Sequence, residues 1–293
     1  TSRFKGKAGI KDPKSSLKCL FPQIIANLAP NYGNYLMKAV ILSAGQGKRL
    51  LPLTADCPKC ILPVGGRSLI EWQIDELAKC GIDQIRVVLG FQAGKVERIL
   101  RARYGSHRVK TIYNAEYAVS DNLVSCWSAQ DEMRSDFVLL NGDTLFEAAV
   151  MQLLLDTPDR PVTVAISHKS EYDADDMKVE LDGCRLVKIG KELLADQVDG
   201  ESIGMILFRG RGPRLFRTAL ETALQSSASQ RKWYLSVIDE MARSIPVWTC
   251  SIKGLQWCEV DYYADLKQAE KVVTACGARA EARPMTAPVR QLR

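Results

Sequence analysis

The apolar positions of the chain fall into two kinds of run. Short blocks of strand formers, Ala39 to Leu42, Ile82 to Leu89, Val109 to Tyr113 and Phe137 to Leu140, alternate with longer segments in which apolar residues recur at helical spacing. Ser68 to Lys79 sets Leu69, Ile70, Ile74 and Leu77 on one stripe and runs into Gly81, a residue suited to the C′ position of a helix. Ala93 to Arg103, stopped by Gly105, and Asn122 to Met133, carrying Leu123, Trp127 and Met133, read as the next two helices. Such alternation predicts right-handed β-α-β crossovers, with ligands held beyond the carboxyl ends of the strands.

From Pro161 the pattern changes to consecutive strands: Val162 to Ser167, Met177 to Leu181, Arg185 to Ile189 and Ser202 to Phe208. Asp182-Gly183 reads as the hairpin turn between the middle two. This half is expected to form a strand-rich lid over the mouth of the sheet and to carry the pocket of the variable substrate. Helices follow at Pro213 to Leu224 and Trp233 to Arg243, and strands at Val247 to Ile252 and Trp257 to Asp261. A last helix, Asp265 to Cys276, places Leu266, Ala269 and Val273 on one face.

The chemistry concentrates between Met37 and Gly66. The first buried strand breaks into Ser43-Ala44-Gly45-Gln46-Gly47-Lys48-Arg49, where two glycines let backbone N–H groups converge and two cations meet whatever anion those amides hold. Pro52, Pro58 and Pro63 stiffen the continuation, which carries Lys59. A dinucleotide fingerprint would need a third glycine where Leu50 stands and an acidic residue about 20 positions on. A P-loop would need four residues between its glycines, and Gly45 and Gly47 have one. Gly45-Gln46-Gly47-Lys48-Arg49, Leu50-Leu51-Pro52-Leu53-Thr54 and Pro58-Lys59 instead resemble, in order, the signature of nucleotidyltransferases that act on sugar phosphates and related phospho-alcohols.

That resemblance implies an α/β fold with a Rossmann-like (GT-A-like) mixed, mostly parallel sheet flanked by helices. It implies that Arg49 meets the leaving pyrophosphate and Lys59 the α-phosphate, with Leu42, Ala44, Gly45, Gly47, Lys48 and Asn122 around the nucleotide. Asp143 directly follows the buried strand Phe137 to Leu140, at the ligand edge of the sheet; a cap for Thr144 onward is its plainer reading. The family places metal-binding acids at Asp143 and at Asp261, which implies Mg²⁺, an ion commonly held by one or two carboxylates plus substrate phosphates. Both histidines, His107 and His168, lie outside any motif, and a phosphate monoester nucleophile, largely dianionic at neutral pH, has no need of a histidine base.

Asp121-Asn122 with Ser125, Asp176-Met177-Lys178-Val179, Ile189-Gly190-Lys191-Glu192-Leu193 and Gly200-Glu201-Ser202-Ile203-Gly204-Met205 are similar to the branch of phosphocholine and 2-aminoethylphosphonate cytidylyltransferases. The branch implies CTP as donor and a small phosphorylated acceptor. Lys178, Glu201, Trp233, Tyr234 and Glu259 are the candidate acceptor contacts, with core or helix-surface roles as the competing reading for Trp233 and Tyr234. A sugar-1-phosphate nucleotidyltransferase using UTP, dTTP or GTP shares the first motif wholly and stays open. A GT-A glycosyltransferase would want Asp-x-Asp where Asn141-Gly142-Asp143 stands, and a catalytically dead relative would be expected to lose Arg49, Lys59 or an aspartate.

Composition narrows the partners. The net charge of +6 resides in the ends: residues 1 to 36 carry six basic residues against Asp12, and the tail from Gly277 carries four arginines against Glu281, leaving the body between them slightly acidic. A nucleic-acid-binding surface on that body has no electrostatic support. Residues 1 to 36 read as a basic, poorly ordered extension before a natural start at Met37, residues 37 to 276 as the catalytic domain, and 277 to 293 as a basic tail. No apolar run approaches the roughly 20 residues of a membrane span. Nine scattered cysteines suggest no disulfide framework and favour a reducing cytoplasm. Cys57-x-x-Cys60 lacks the second pair or nearby histidines of a zinc site.

Overall fold

The computed structural model describes residues 37–225 and 231–281. The expected N-terminal extension and all of the tail beyond residue 281 lie outside them. Strand β1 (Lys38–Ser43) leads through the glycine loop to a small hairpin of β2 (Pro63–Val64) and β3 (Arg67–Ser68), then helix α1 (Leu69–Lys79). Glu71 accepts the Ser68 backbone N–H at 2.8 Å, which satisfies a donor at the start of α1. β4 (Gln84–Leu89), α2 (Ala93–Arg108), β5 (Val109–Tyr113), α3 (Asn122–Ser128) and β6 (Phe137–Asn141) complete the alternating half. β7 (Thr144–Phe146) and α4 (Ala148–Leu155) follow. The second half runs β8 (Val162–Ser167), β9 (Lys178–Asp182), β10 (Arg185–Gly190), β11 (Gly200–Phe208), α5 (Gly212–Leu224) and α6 (Tyr234–Ser244). It closes with β12 (Trp248–Ser251), β13 (Trp257–Glu259) and α7 (Asp265–Glu281).

Nine strands form one sheet in the order β5-β4-β1-β6-β11-β8-β12-β10-β9. β5, β4, β1 and β6 are parallel, as the alternating pattern predicts, and β11 enters antiparallel between β6 and β8. β9 also pairs with the start of β11, Gly200 opposite Val179 and Glu201 opposite Lys178, so the second half curls back on itself. Its strands therefore continue the Rossmann-like sheet, and what reaches the glycine loop is the β8–β9 loop, where the sequence suggested the strands themselves would meet over the mouth.

The strand alternation sorts the core onto two faces. Val40 and Leu42 of β1 join Leu139, Ile206 and the stacked rings of Phe137, Phe208 and Phe216, while Ala39 and Ile41 face α1, α2 and α4 with Val87, Val138 and Leu140. A third, smaller core matters more for the site. Leu50, Leu62, Val64 and Trp72 pack with Leu145 of β7, Cys258 and Val260, and Ala269, Val272 and Val273 of α7. That cluster ties the segment after the glycine loop to the paired strands β7 and β13, which flank the two candidate metal-binding aspartates.

Three local expectations change. The second helix continues to Arg108 across a break at Gly105 (φ 71°), where glycine supplies the left-handed backbone. The third ends at Ser128 and hands over to a short 3₁₀ turn at Gln130–Glu132. The last runs to Glu281, past Cys276. β7 and α4 carry no periodic signal, because three residues cannot show alternation and Ala148–Leu155 is apolar at all but one position.

Candidate active site

Gly47 stands at φ 76°, ψ 51°, and a Cβ there would come within 2.8 Å of the Lys59 Cβ, so both backbone and packing require glycine. The Thr54 hydroxyl donates to the Gly47 carbonyl at 2.8 Å and pins the loop. Leu50 plugs into the third core, which leaves the neighbouring Arg49 at the surface, about half exposed. Cys60 and Ile61 anchor the short turn that begins at Lys59 and turn the lysine side chain inward, to 12% exposure.

Lys59 Nζ lies 2.7 Å from Asp143 Oδ2 and 2.5 Å from Asp261 Oδ1, and Arg49 Nη2 lies 3.0 Å from Asp261 Oδ2. Residues distant in sequence thus meet at one point beyond the carboxyl ends of β1 and β6. Burial pulls the Lys59 pKa down, but the charges of Asp143 and then Asp261, with their hydrogen bonds, outweigh it and hold the ammonium above its ordinary value. Glu259, two residues before Asp261, is pushed up to about 8, first by burial and then by the negative charges of Asp143 and Asp261.

The donor set fits a hard divalent cation. Asp143 Oδ1 is buried and meets no hydrogen-bond donor, an acceptor left over beside a second carboxylate. Among the described residues no three His, Cys, Asp or Glu side chains gather at metal-binding geometry, so an ion here would draw on two carboxylates and complete its shell with phosphate oxygens and water.

A cleft of ≈ 780 Å³ opens above this cluster. Its lining includes Leu42, Ala44, Gly45, Gly47 and Lys48 of the glycine loop, Asn122 and Trp233, and Arg49, Lys59, Asp143 and Asp261. Four expected acceptor contacts are elsewhere. Tyr234 is fully buried and its hydroxyl donates to Asn141 Oδ1 at 2.9 Å, a core role that puts it out of reach of any acceptor. Lys178 is buried and donates to the Lys191 carbonyl. Glu201, 5% exposed, pairs with Lys169 at 3.0 Å, and the same ammonium binds Asp176 at 2.7 Å. Burial raises the Glu201 pKa, Lys169 opposes that and Asp176 adds to it, leaving it at about 7. Glu259 stands behind the aspartates and off the cleft lining. Asn122 lines the cleft and also accepts the Tyr234 N–H at 2.9 Å, capping α6.

The sequence reading missed a second ring of polar groups. Asp175, in the β8–β9 loop, accepts from the Tyr262 hydroxyl at 2.7 Å and pairs with Arg49 and Lys191, each at 3.2 Å. Lys191 Nζ sits 4.3 Å above the Trp233 ring, and Arg49 stacks over Tyr262. Phe91 and Tyr117 also line the cleft. Phe91 lies two residues beyond the end of β4, and the strand-end rule that flagged Asp143 would have flagged it too.

A glycine loop, two cations and two carboxylates thus share one cleft at the ends of parallel strands. Residues 38–175 match the model of the Nucleotidyl transferase family. It is 27% identical over 240 residues to the CMP-5'-(3-aminopropyl)phosphonate synthase of Streptomyces rubellomurinus, covering 80% of this chain and 38% of the relative. It is 34% identical over 111 residues to the choline-phosphate cytidylyltransferase of Streptococcus pneumoniae, covering 38% of this chain and 47% of the relative. The chain thus spans less than half the length of these two curated relatives. The solved CTP:phosphocholine cytidylyltransferase from Streptococcus pneumoniae superimposes with a TM-score of 0.67 at 21% identity, over 81% of this chain and 99% of that one, which shows a shared fold. Among the described residues no helix is long and apolar enough to cross a membrane, and no disulfide forms.

Proposed function

We propose that this protein transfers CMP from CTP to a small phosphorylated alcohol or phosphonate, such as phosphocholine or 2-aminoethylphosphonate, and releases pyrophosphate. The observation that carries the reading is Lys59 held between Asp143 and Asp261 at the mouth of the glycine loop. The printed activities of the Streptomyces and Streptococcus relatives support cytidylyl transfer to phosphorylated or phosphonate acceptors.

The reaction joins an acceptor phosphate or phosphonate oxygen to the α-phosphorus of the triphosphate and breaks the bond to the β-phosphate bridge. The nucleophile is largely dianionic at neutral pH, so the site has little proton chemistry to do. Its task is to bring two anions together and neutralise the charge that spreads over the transferring group. Lys59, kept protonated by its two aspartates, is the cation for the α-phosphate oxygens. Arg49, half exposed beside Asp261, takes the leaving pyrophosphate. The backbone of Gly45 to Gly47 holds the triphosphate, and Asn122 faces the base. Asp143 and Asp261 would hold Mg²⁺, which would supply positive charge against the phosphate oxygens.

Pyrophosphate release, measured for four nucleoside triphosphates against a panel of phosphorylated acceptors, with and without EDTA, tests this. Cation-dependent turnover with CTP and an amino-alcohol phosphate or phosphonate supports it. Turnover only of a hexose 1-phosphate with UTP, dTTP or GTP would leave the family and overturn the branch.

A further inference from the structure

The loop that presents Asp143 is held from below by a side chain outside the cleft. Gln73, on α1, is 1% exposed, and its amide Nε2 donates to two backbone carbonyls at once, Asn141 at 2.7 Å and Thr144 at 2.8 Å. These carbonyls bracket the Gly142-Asp143 turn on both sides. Three more polar groups of the turn are tied. Gly142 N–H donates to the Leu42 carbonyl at 2.9 Å, the Asp143 carbonyl accepts from Val260 N–H at 3.1 Å, and the Thr144 hydroxyl donates to the Ile203 carbonyl at 3.1 Å. Gly142 packs so closely on β1 that a Cβ there would lie 2.2 Å from Ser43 Oγ.

Each of these ties joins the turn to a neighbouring strand or to the segment after β13. Gln73 supplies two hydrogen bonds from the turn to helix α1, whose Ile70, Ile74 and Leu77 are fixed in the core. Two polar side chains are buried on α1: Glu76, which accepts the Ala148 N–H at 2.8 Å, and Gln73, whose burial costs stability unless its amide is used and whose Oε1 has no partner. Plain packing would favour leucine or methionine at this position. The cost is rational if the two donated bonds fix the aim of the Asp143 carboxylate, whose own Oδ1 is the buried acceptor left without a donor.

We infer that Gln73 is a positioning residue for the proposed reaction: its amide clamps the Asn141–Thr144 turn so that Asp143 meets Lys59 and a divalent cation in one fixed geometry. The inference rests on the proposed nucleotidyl transfer for its kinetic consequence, but the clamp has a readout of its own.

The test uses the full chain with Gln73→Met, which keeps an unbranched side chain of similar length and removes both donors. Amide hydrogen exchange over Asn141 to Phe146 is compared with exchange in β4 and β5, which reads the clamp whether or not the protein turns over. Binding of Mn²⁺ in the presence of CTP is followed by loss of the free-ion spin resonance signal, alongside kcat and KM. The expected result is faster exchange confined to the turn, Mn²⁺ affinity and kcat each lower by about tenfold or more, and KM for CTP within about twofold. A lower melting temperature with uniform exchange, unchanged Mn²⁺ affinity and unchanged kcat would reduce Gln73 to a packing residue and overturn the inference. If Gln73→Met does not fold, Gln73→Glu, which keeps chain length and a polar head, is read by the same three measurements. Wild-type protein that neither binds Mn²⁺ nor turns over would sink the proposed function, while turn-confined exchange would still report the clamp.

Discussion

Replacing Lys59 with methionine removes the one ammonium that both Asp143 and Asp261 contact while keeping the aliphatic stem that packs beside Gly47. Breaking a buried ion pair by deleting one partner costs about 3–5 kcal/mol, because a charge is stranded. Here the two carboxylates are 27% and 23% exposed and Arg49 still touches Asp261, so solvent and that guanidinium recover part of it. A loss of about 2–3 kcal/mol follows, which for a domain of this size is about 5–10 °C in Tm. Because the folded Lys59 pKa lies above its ordinary 10.5, the wild-type contribution is intact at neutral pH and is lost only on the alkaline side. The deficit of the variant should shrink on adding Mg²⁺, whose charge would replace that of the lost ammonium. Loss of the cation at the α-phosphate should lower kcat by about 10²–10³-fold. Thermal melts across pH, with and without Mg²⁺, and steady-state kinetics check both parts. A variant that melts with the wild type at every pH and keeps full turnover would refute the placement of Lys59 at the centre of the site.

Gly47→Ala should lower activity by at least about tenfold, since its φ of 76° and the 2.8 Å approach to the Lys59 Cβ force loop and lysine apart; unchanged kinetics would contradict the loop geometry. Glu201→Gln should flatten the pH dependence of stability. The wild-type carboxyl, at about 7 when folded against an ordinary 4.5, contributes stability that is full below about 4.5 and is lost as pH rises through 7, on the order of 2 kcal/mol. Parallel slopes of Tm against pH for the two proteins would rule that out. Asp175→Asn should lower KM for the triphosphate by about two- to fivefold, because it frees Arg49 and Lys191 from a competing carboxylate, and a raised KM would show that Asp175 assists binding instead.

Much of the fold was legible because its signals are local. The alternating half announces itself in the apolar runs around Val40, Val87 and Leu139, and Gly47 with Lys59 marks the cleft within a single stretch. Asp143 and Asp261 were legible from strand ends, although nothing in the sequence tells that Lys59 bridges them. What was not legible depends on long-range closure. Glu201 and Lys178 face each other only because β9 pairs a second time with β11, and that pairing buries both beside the β8–β9 loop. Asp175 reaches Arg49 across 126 positions of sequence through the same loop. Tyr234 follows Trp233 by one residue, and the start of α6 sends one ring into the core and the other to the cleft, a division that an unanchored helical stripe leaves undecided. Gln73 was hidden for the opposite reason, since a polar residue on an apolar helix face reads as surface until its two carbonyl partners are seen.

The most direct test of the central claim follows the phosphorus atoms. CTP labelled at the α-phosphorus, or separately at the γ-phosphorus, is incubated with the protein, Mg²⁺ and 2-aminoethylphosphonate or phosphocholine, and the products are separated by charge. The account predicts that the α-label moves into a CMP–acceptor conjugate while the γ-label leaves as pyrophosphate, and that neither occurs with Asp143→Ala. An α-label that stays in free CMP, a γ-label found on the acceptor, or full transfer by Asp143→Ala would contradict it.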